Sequence, residues 1–286
     1  MAWMRACAAA VALTVATAGA AVADTMLPET HDAVPGPPGV TYMDLLRQVI
    51  PDLADIAADK QTEGHFSEHP PRHVAGKKFA AEPPDPLVAS YLEDVRIKAG
   101  GRGRIVLLID LGQDQESVQD QALMALYDDG PKPRLLDAVD VGVDKDTGFD
   151  DPKQLPLGPG DDALITESAH SNSDQAYVSH LLIYVRHDRI HLIDDVFAFS
   201  DQGCGWRRDE TPIFTAPPDP GRAYRRIDVV IHEVLKRTDE DCGDNKIPKA
   251  YARTWRGAWR WDAARGEFKS TGGDLDRLDT LNEARF

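Results

Sequence analysis

Three stretches of this chain share one plan: an apolar or aromatic run, a short charged turn, and a returning run. They are LMALYDDGPKPRLLDAVDV (123–141), LLIYVRHDRIHLIDDVFAF (181–199) and AWRWDAARGEFKS (258–270). An isolated hairpin is marginal in water, so several of them must share a sheet to bury their apolar faces. That constrains the chain to a mainly antiparallel β fold. The spacing of the units has no fixed period, which favours a meander or sandwich of hairpins. A propeller is the alternative, because two returning strands, RLLDAVDV and HLIDDVFA, resemble each other.

The strands read as Ile105–Leu111, Ala122–Tyr127, Leu135–Val141, Ala176–Val185, Ile190–Phe199, Ala223–Leu235, Ala250–Trp261 and Glu267–Lys269. A helical, proline-rich region, 41–98, precedes this β-rich part, 99–286. Leu45, Leu46, Val49, Ile50 and Leu53 recur at helical spacing, so the sequence predicts a helix over 41–58. Thr41 stands as its N-cap with Asp44 three residues on, and Pro51 should kink or divide it. A second short helix is expected over Pro86–Ile97, and Leu275–Phe286 reads as a short closing helix. Residues 24–40, with Pro28, Pro35, Pro37 and Pro38, are expected to be an extended, poorly packed leader.

The N-terminus places the protein. Arg5, an uncharged apolar stretch from Ala6 to Ala18, and Ala21-Val22-Ala23 before Asp24 have the three-part layout of a secretory signal peptide, residues 1–23. The apolar part is too short and weak for a stable span, and no later segment would cross a bilayer. A periplasmic or secreted protein is therefore expected. Cys204 and Cys242 are the only cysteines left after processing. An even pair in an oxidising compartment should be bonded, closing a loop that stabilises by roughly 4 kcal/mol at most. The formal net charge of −16 becomes one unit more negative once Arg5 is removed. Such a chain repels phosphate backbones, which argues against nucleic acid and anionic lipid as partners. A protein or small-molecule ligand remains, and the sequence does not fix the oligomeric state.

No strong nucleophile, metal or phosphate motif is present, so the leading expectation is a non-catalytic binding or interaction module of the bacterial envelope. The polar run Glu167–Tyr177 is the candidate ligand loop. His170, Asn172, Ser173 and Gln175 lie there between strand-like runs and offer imidazole, amide and hydroxyl groups to a small polar ligand. A hydrolase built on this loop is the alternative, although no G-x-S-x-G elbow is present and no acid is marked as partner. A calcium-stabilised envelope module is a further alternative. Asp144, Asp146 and Asp150 lie in an acidic, glycine-containing loop (140–151) rich in oxygen ligands, so calcium is the one cofactor the sequence admits. The loop fails the EF-hand order and has no closing Glu. His65, His69 and His73 repeat every four residues, but Pro70 and Pro71 forbid the helix that would align them. His180 and His191 read as half-buried strand residues. Tyr251, Trp255, Trp259 and Trp261 share one face of a strand, as a core stripe or an aromatic platform.

The C-terminal hairpin YARTWRGAWRWDAARGEFKS, together with DDALITESAHSNSDQAYVSHLLIYVRHDRIHLIDDVFAF, resembles stretches of exported bacterial proteins of unknown function. The resemblance implies export and a β-rich fold. It carries over no catalytic residue.

Overall fold

The computed structural model describes residues 28–56, 61–67, 69–77, 82–113, 119–243 and 246–285. The signal-peptide segment lies outside the described residues. Helix α1 spans Tyr42–Leu46. Strands β1 (Ala54–Asp55), β2 (Thr62–Gly64) and β3 (Leu87–Ala89) form a small sheet. Strands β4 (Tyr91–Ala99), β5 (Arg102–Gln113), β6 (Asp120–Asp128) and β7 (Leu135–Asp140) form a second. The third has eight strands: β8 (Gly148–Pro156), β9 (Asp162–Ser171), β10 (Gln175–Arg186), β11 (Arg189–Gly203), β12 (Trp206–Thr215), β13 (Ile227–Arg237), β14 (Tyr251–Asp262) and β15 (Glu267–Gly273). Helix α2 (Leu275–Glu283) follows. Every ladder is antiparallel and joins consecutive strands. The architecture is therefore a meander of open sheets, not a ring of blades.

The two-residue turns explain the register. Gly100 and Gly101, at φ +58° and +73°, join β4 to β5. His187 and Asp188, at +52° and +58°, join β10 to β11. Two central residues with positive φ give the type I′ turn whose twist matches the strands.

The four-stranded sheet is the middle layer. Ile105, Leu107, Ile109, Leu123, Ala125 and Tyr127 face the N-terminal segment, with Leu45, Leu46, Ile50 and Leu53 packed on them. Val106, Leu108, Met124 and Leu126 face the other way, against Leu164, Leu181, Ile183 and Val185 of the large sheet. Both faces of β5 and β6 are thus covered, which is why their sequences are continuously apolar. The large sheet packs its other face around Trp255, Trp259, Trp261 and Leu278. It curls far enough that Leu157, just past β8, accepts a hydrogen bond from the Arg225 amide ahead of β13 (2.7 Å).

Three sequence expectations are corrected. Among the described residues of the expected helix, 41–56, only five are helical, with the Thr41–Asp44 capping box in place; beyond them come turns and β1. Pro86–Ile97 is not a helix but β3 and β4. The described part of the leader, 28–40, is not extended. Ala33 bridges to Thr41, the Val34 amide bonds the Val40 carbonyl, and Val34 is 2% exposed within the first core. Gly36 and Gly39, at φ +104° and +69°, make that return possible.

Candidate functional site

His170 lies at the end of β9, not in a loop. Its ring stacks on Tyr177 across the hairpin, with centroids 4.5 Å apart and planes at 8°, and its Nδ1 bonds the Asp144 carboxylate. Asn172 Oδ1 accepts the amides of Asp174 (3.0 Å) and Gln175 (2.9 Å), so the side chain closes the turn. Gln175 Oε1 accepts from Asn172 Nδ2 and from the Tyr177 hydroxyl. The Ser173 carbonyl accepts from Gln202 Nε2. Ser168, one of the loop's serines, is buried with its hydroxyl bonded to that of Thr147 at 2.7 Å.

The three aspartates are divided rather than converged. Asp144 holds His170 and the Lys145 amide. Asp146 takes φ +48° and donates its amide to Asp120. Asp150 sits on β8, bonded to His180 Nδ1 at 2.9 Å. His65, His69 and His73 are likewise dispersed. His65 lies between Asp52 and Asp85, and the Asp52 bond raises its pKa. His73 is buried on the Gly142 carbonyl, and burial lowers its pKa. Trp255, Trp259 and Trp261 are core, with two indole N–H groups on Glu233 and Asp194.

Cys204 and Cys242 form the disulfide, with Cα atoms 5.6 Å apart. Among the described residues no helix is long and apolar enough to cross a membrane.

A different constellation emerges at one end of the hairpins. The β10–β11 turn carries Arg186 and Arg189, and the β14–β15 turn carries Arg265. With Arg72 they line a cleft of about 680 Å³. Its apolar wall includes Tyr184, Ile190 and Leu192. Arg72 and Arg189 share one carboxylate, Asp137, at 3.2 and 2.8 Å; that side chain is 4% exposed and also accepts the Ile190 amide. Arg186 lies over the Trp261 ring, 5.1 Å from its centroid, and donates to the Gly266 carbonyl. It has no carboxylate within ion-pair distance among the described residues. Arg265 stands 4.0 Å from Asp262, at the limit of an ion pair. Glu267, on the rim, is neutralised by Lys269 at 2.8 Å. The cationic groups therefore outnumber the acids.

His191 also lines the cleft. Burial lowers its pKa; the charges of Arg72 and Arg186 act in the same direction, opposed by a hydrogen bond to the Arg186 backbone and by the charge of Asp137. Gly266 fixes the arrangement. At φ +71°, it leaves room for Arg186, whose Nη1 would stand 2.0 Å from a Cβ at that position. Sequence reading found both charged turns but not their meeting. The signal was present as two arginines in one turn, Arg186 and Arg189, and one in the other, Arg265, and only the curl of the sheet brings them to one end.

Fold and cleft define a class: a curled antiparallel meander that carries an arginine-lined cleft at its hairpin ends. Beyond that class the comparisons add no closer assignment, since no family model, no curated protein and no solved structure matches the chain.

Proposed function

We propose that this protein is a non-catalytic binding module, exported to the periplasm or beyond, that holds a small multivalent anion in the arginine cleft. The observation that carries the reading is the convergence of four guanidinium groups from three chain segments in a protein of net charge −16. Arginine presents a planar fork that fits carboxylate and phosphate oxygens two at a time. Leu192, half-buried on the cleft wall, gives an attached apolar group a surface to cover. None of the cleft's lining residues is Ser, Thr or Cys, and its one hydroxyl, on Tyr184, donates to the Gly266 carbonyl at 3.4 Å, an arrangement that supports binding. Export is supported by the signal-peptide layout of residues 1–23 and by a disulfide of the kind that persists in oxidising compartments.

Calorimetric titration of residues 24–286 with inorganic phosphate, citrate and phenyl phosphate tests the reading. Binding should weaken with added salt and fall about tenfold in Arg186→Gln or Arg265→Gln, one charge-assisted contact each. Affinity unchanged in both variants, or no anion bound at millimolar concentration, refutes it.

A further inference from the structure

On the inner face of the large sheet, three neighbouring strands bring together groups that the arginine cleft does not use. Asp150 comes from β8, Glu167 from β9 and His180 from β10. Glu167 and His180 are directly opposed in the β9–β10 ladder, so their side chains share a face. The β8–β9 register is irregular between Phe149 and Gln154, and Asp150 lies inside that interruption. Irregular pairing of this kind re-aims a side chain, and here the Asp150 carboxylate reaches His180 two strands away. One ligand atom from each of the three residues falls within 4.8 Å of the others.

The cluster is not balanced as it stands. Among the described residues neither Asp150 nor Glu167 has a Lys or Arg partner, and Glu167 has no side-chain hydrogen bond. His180 is 4% exposed in its side chain. Its Nδ1 meets Asp150, while its Nε2 is buried with no hydrogen-bond partner. Among the described residues Asp150 accepts only the Asp151 amide besides the imidazole, so two carboxylates without a cationic side chain lie beside a buried ring with an unused nitrogen, the arrangement a cation resolves.

We infer that Asp150, Glu167 and His180 form a site for a divalent cation of the zinc class. Zinc takes imidazole nitrogen and carboxylate oxygen together, whereas calcium and magnesium prefer oxygen alone. Three protein ligands leave a fourth position, which water or a ligand group fills. The Phe214 ring, 5.5 Å from the imidazole, walls one side. This inference is independent of anion binding in the arginine cleft. It also reassigns Asp150, which ligates with partners on two neighbouring strands rather than with Asp144 and Asp146.

The test uses residues 24–286, stripped with chelator and dialysed. Zinc content by mass spectrometry and calorimetric titration with Zn²⁺ should give one ion per chain at pH 7.5. Binding should weaken at least about tenfold in Glu167→Gln and in Asp150→Asn. Zinc should also raise the melting temperature of the wild type and not of Glu167→Gln. Glu167 is partly exposed and its replacement is isosteric, so this variant tests the site even if His180→Gln, at a buried position, fails to fold. No zinc bound by the wild type, equal binding in Glu167→Gln, or preference for Ca²⁺ over Zn²⁺ each overturns the inference.

Discussion

Arg285 is the cation on which two of the most buried acids of the large sheet depend. Strands β11 and β12 pair only through Asp201↔Arg208, Gln202↔Arg207 and Gly203↔Trp206. Beyond that point the Glu210 carboxylate replaces the ladder: its Oε2 accepts the Phe199 amide at 3.0 Å and Asn282 Nδ2 at 2.9 Å. Glu233, on β13, accepts the Tyr251 hydroxyl at 2.6 Å and Trp255 Nε1 at 2.9 Å. Arg285 bridges both acids, at 3.0 Å to Glu210 and 2.7 Å to Glu233, whose side chains are 0% exposed. Replacing it in Arg285→Met keeps much of the volume and removes the charge. Breaking a buried pair from one side costs about 3–5 kcal/mol, because the remaining ion stays out of water. For a chain of this size that lowers the melting temperature by roughly 10 °C. The two acids should not respond alike. Glu233 keeps two neutral donors, and the hydrogen bonds of Tyr251, Trp255 and Arg285 hold its pKa low against its burial. Glu210 is already pushed up by burial, so it takes up a proton first in the variant. A folded-state pKa above the unfolded value means stability is lost as pH rises. The deficit of Arg285→Met should therefore be larger at pH 8 than at pH 5. Urea denaturation followed by tryptophan fluorescence measures it, since Trp255 sits on Glu233. A loss under about 1 kcal/mol, or a larger loss at pH 5, refutes the reasoning.

Cys204→Ser should lower the stability of the oxidised protein by up to about 4 kcal/mol, from the loop the bond closes, and reductant should do the same to the wild type in chemical denaturation. Asp195→Asn should stabilise at pH 7. Burial first, then the charges of Asp194 and Asp279, push the Asp195 pKa up to about 6, and its Oδ1 is buried without a partner. That raised pKa gives stability present below about pH 4 and lost as pH climbs through 6, so the gain should be about 1–2 kcal/mol at pH 7, after discounting for partial exposure, and vanish by pH 4. An equal gain at pH 4 would show a packing effect instead. Asn172→Ala should cost about 1 kcal/mol, because two turn amides lose their acceptor; an unchanged melting temperature together with a lost ligand would restore the loop as a binding site.

How much of this was legible in the sequence depended on what covers each strand. Hairpins with a solvated turn were readable, because Asp128–Pro133, Arg186–Arg189 and Asp262–Gly266 interrupt apolar runs with turn residues. Strand β4 was misread as a helix. Leu92 packs toward the N-terminal segment and Ile97 toward the large sheet, so a strand covered on both faces loses its simple alternation. Strand β8 was read as an acidic loop because Asp150, Asp151 and Pro152 are poor strand formers. It is the edge of the eight-stranded sheet, where a proline costs no ladder bond. Strand β12 was missed because Arg208 and Glu210 look like surface residues. Both are buried, Arg208 paired with Asp201, and Glu210 with Arg285 and Asn282.

The candidate sites follow the same logic from the opposite direction. A sequence shows which groups are close along the chain, so His170, Asn172 and Gln175 stood out as one cluster. Residues that neighbour one another within a turn most readily satisfy each other, and Asn172 and Gln175 do, through the amides of Asp174 and Gln175 and the hydroxyl of Tyr177, while His170 is held by Asp144. Groups left unsatisfied must come from segments that the fold, not the turn, brings together. Arg186 and Arg265 are separated by four strands, and Asp150, Glu167 and His180 sit on three. Each set owes its convergence to strand order and curl, so unpaired charge or an unpartnered buried nitrogen can persist there. In a meander of this kind, a search for binding chemistry belongs at the hairpin ends and on the inner face of the sheet, before the polar loops that the sequence makes conspicuous.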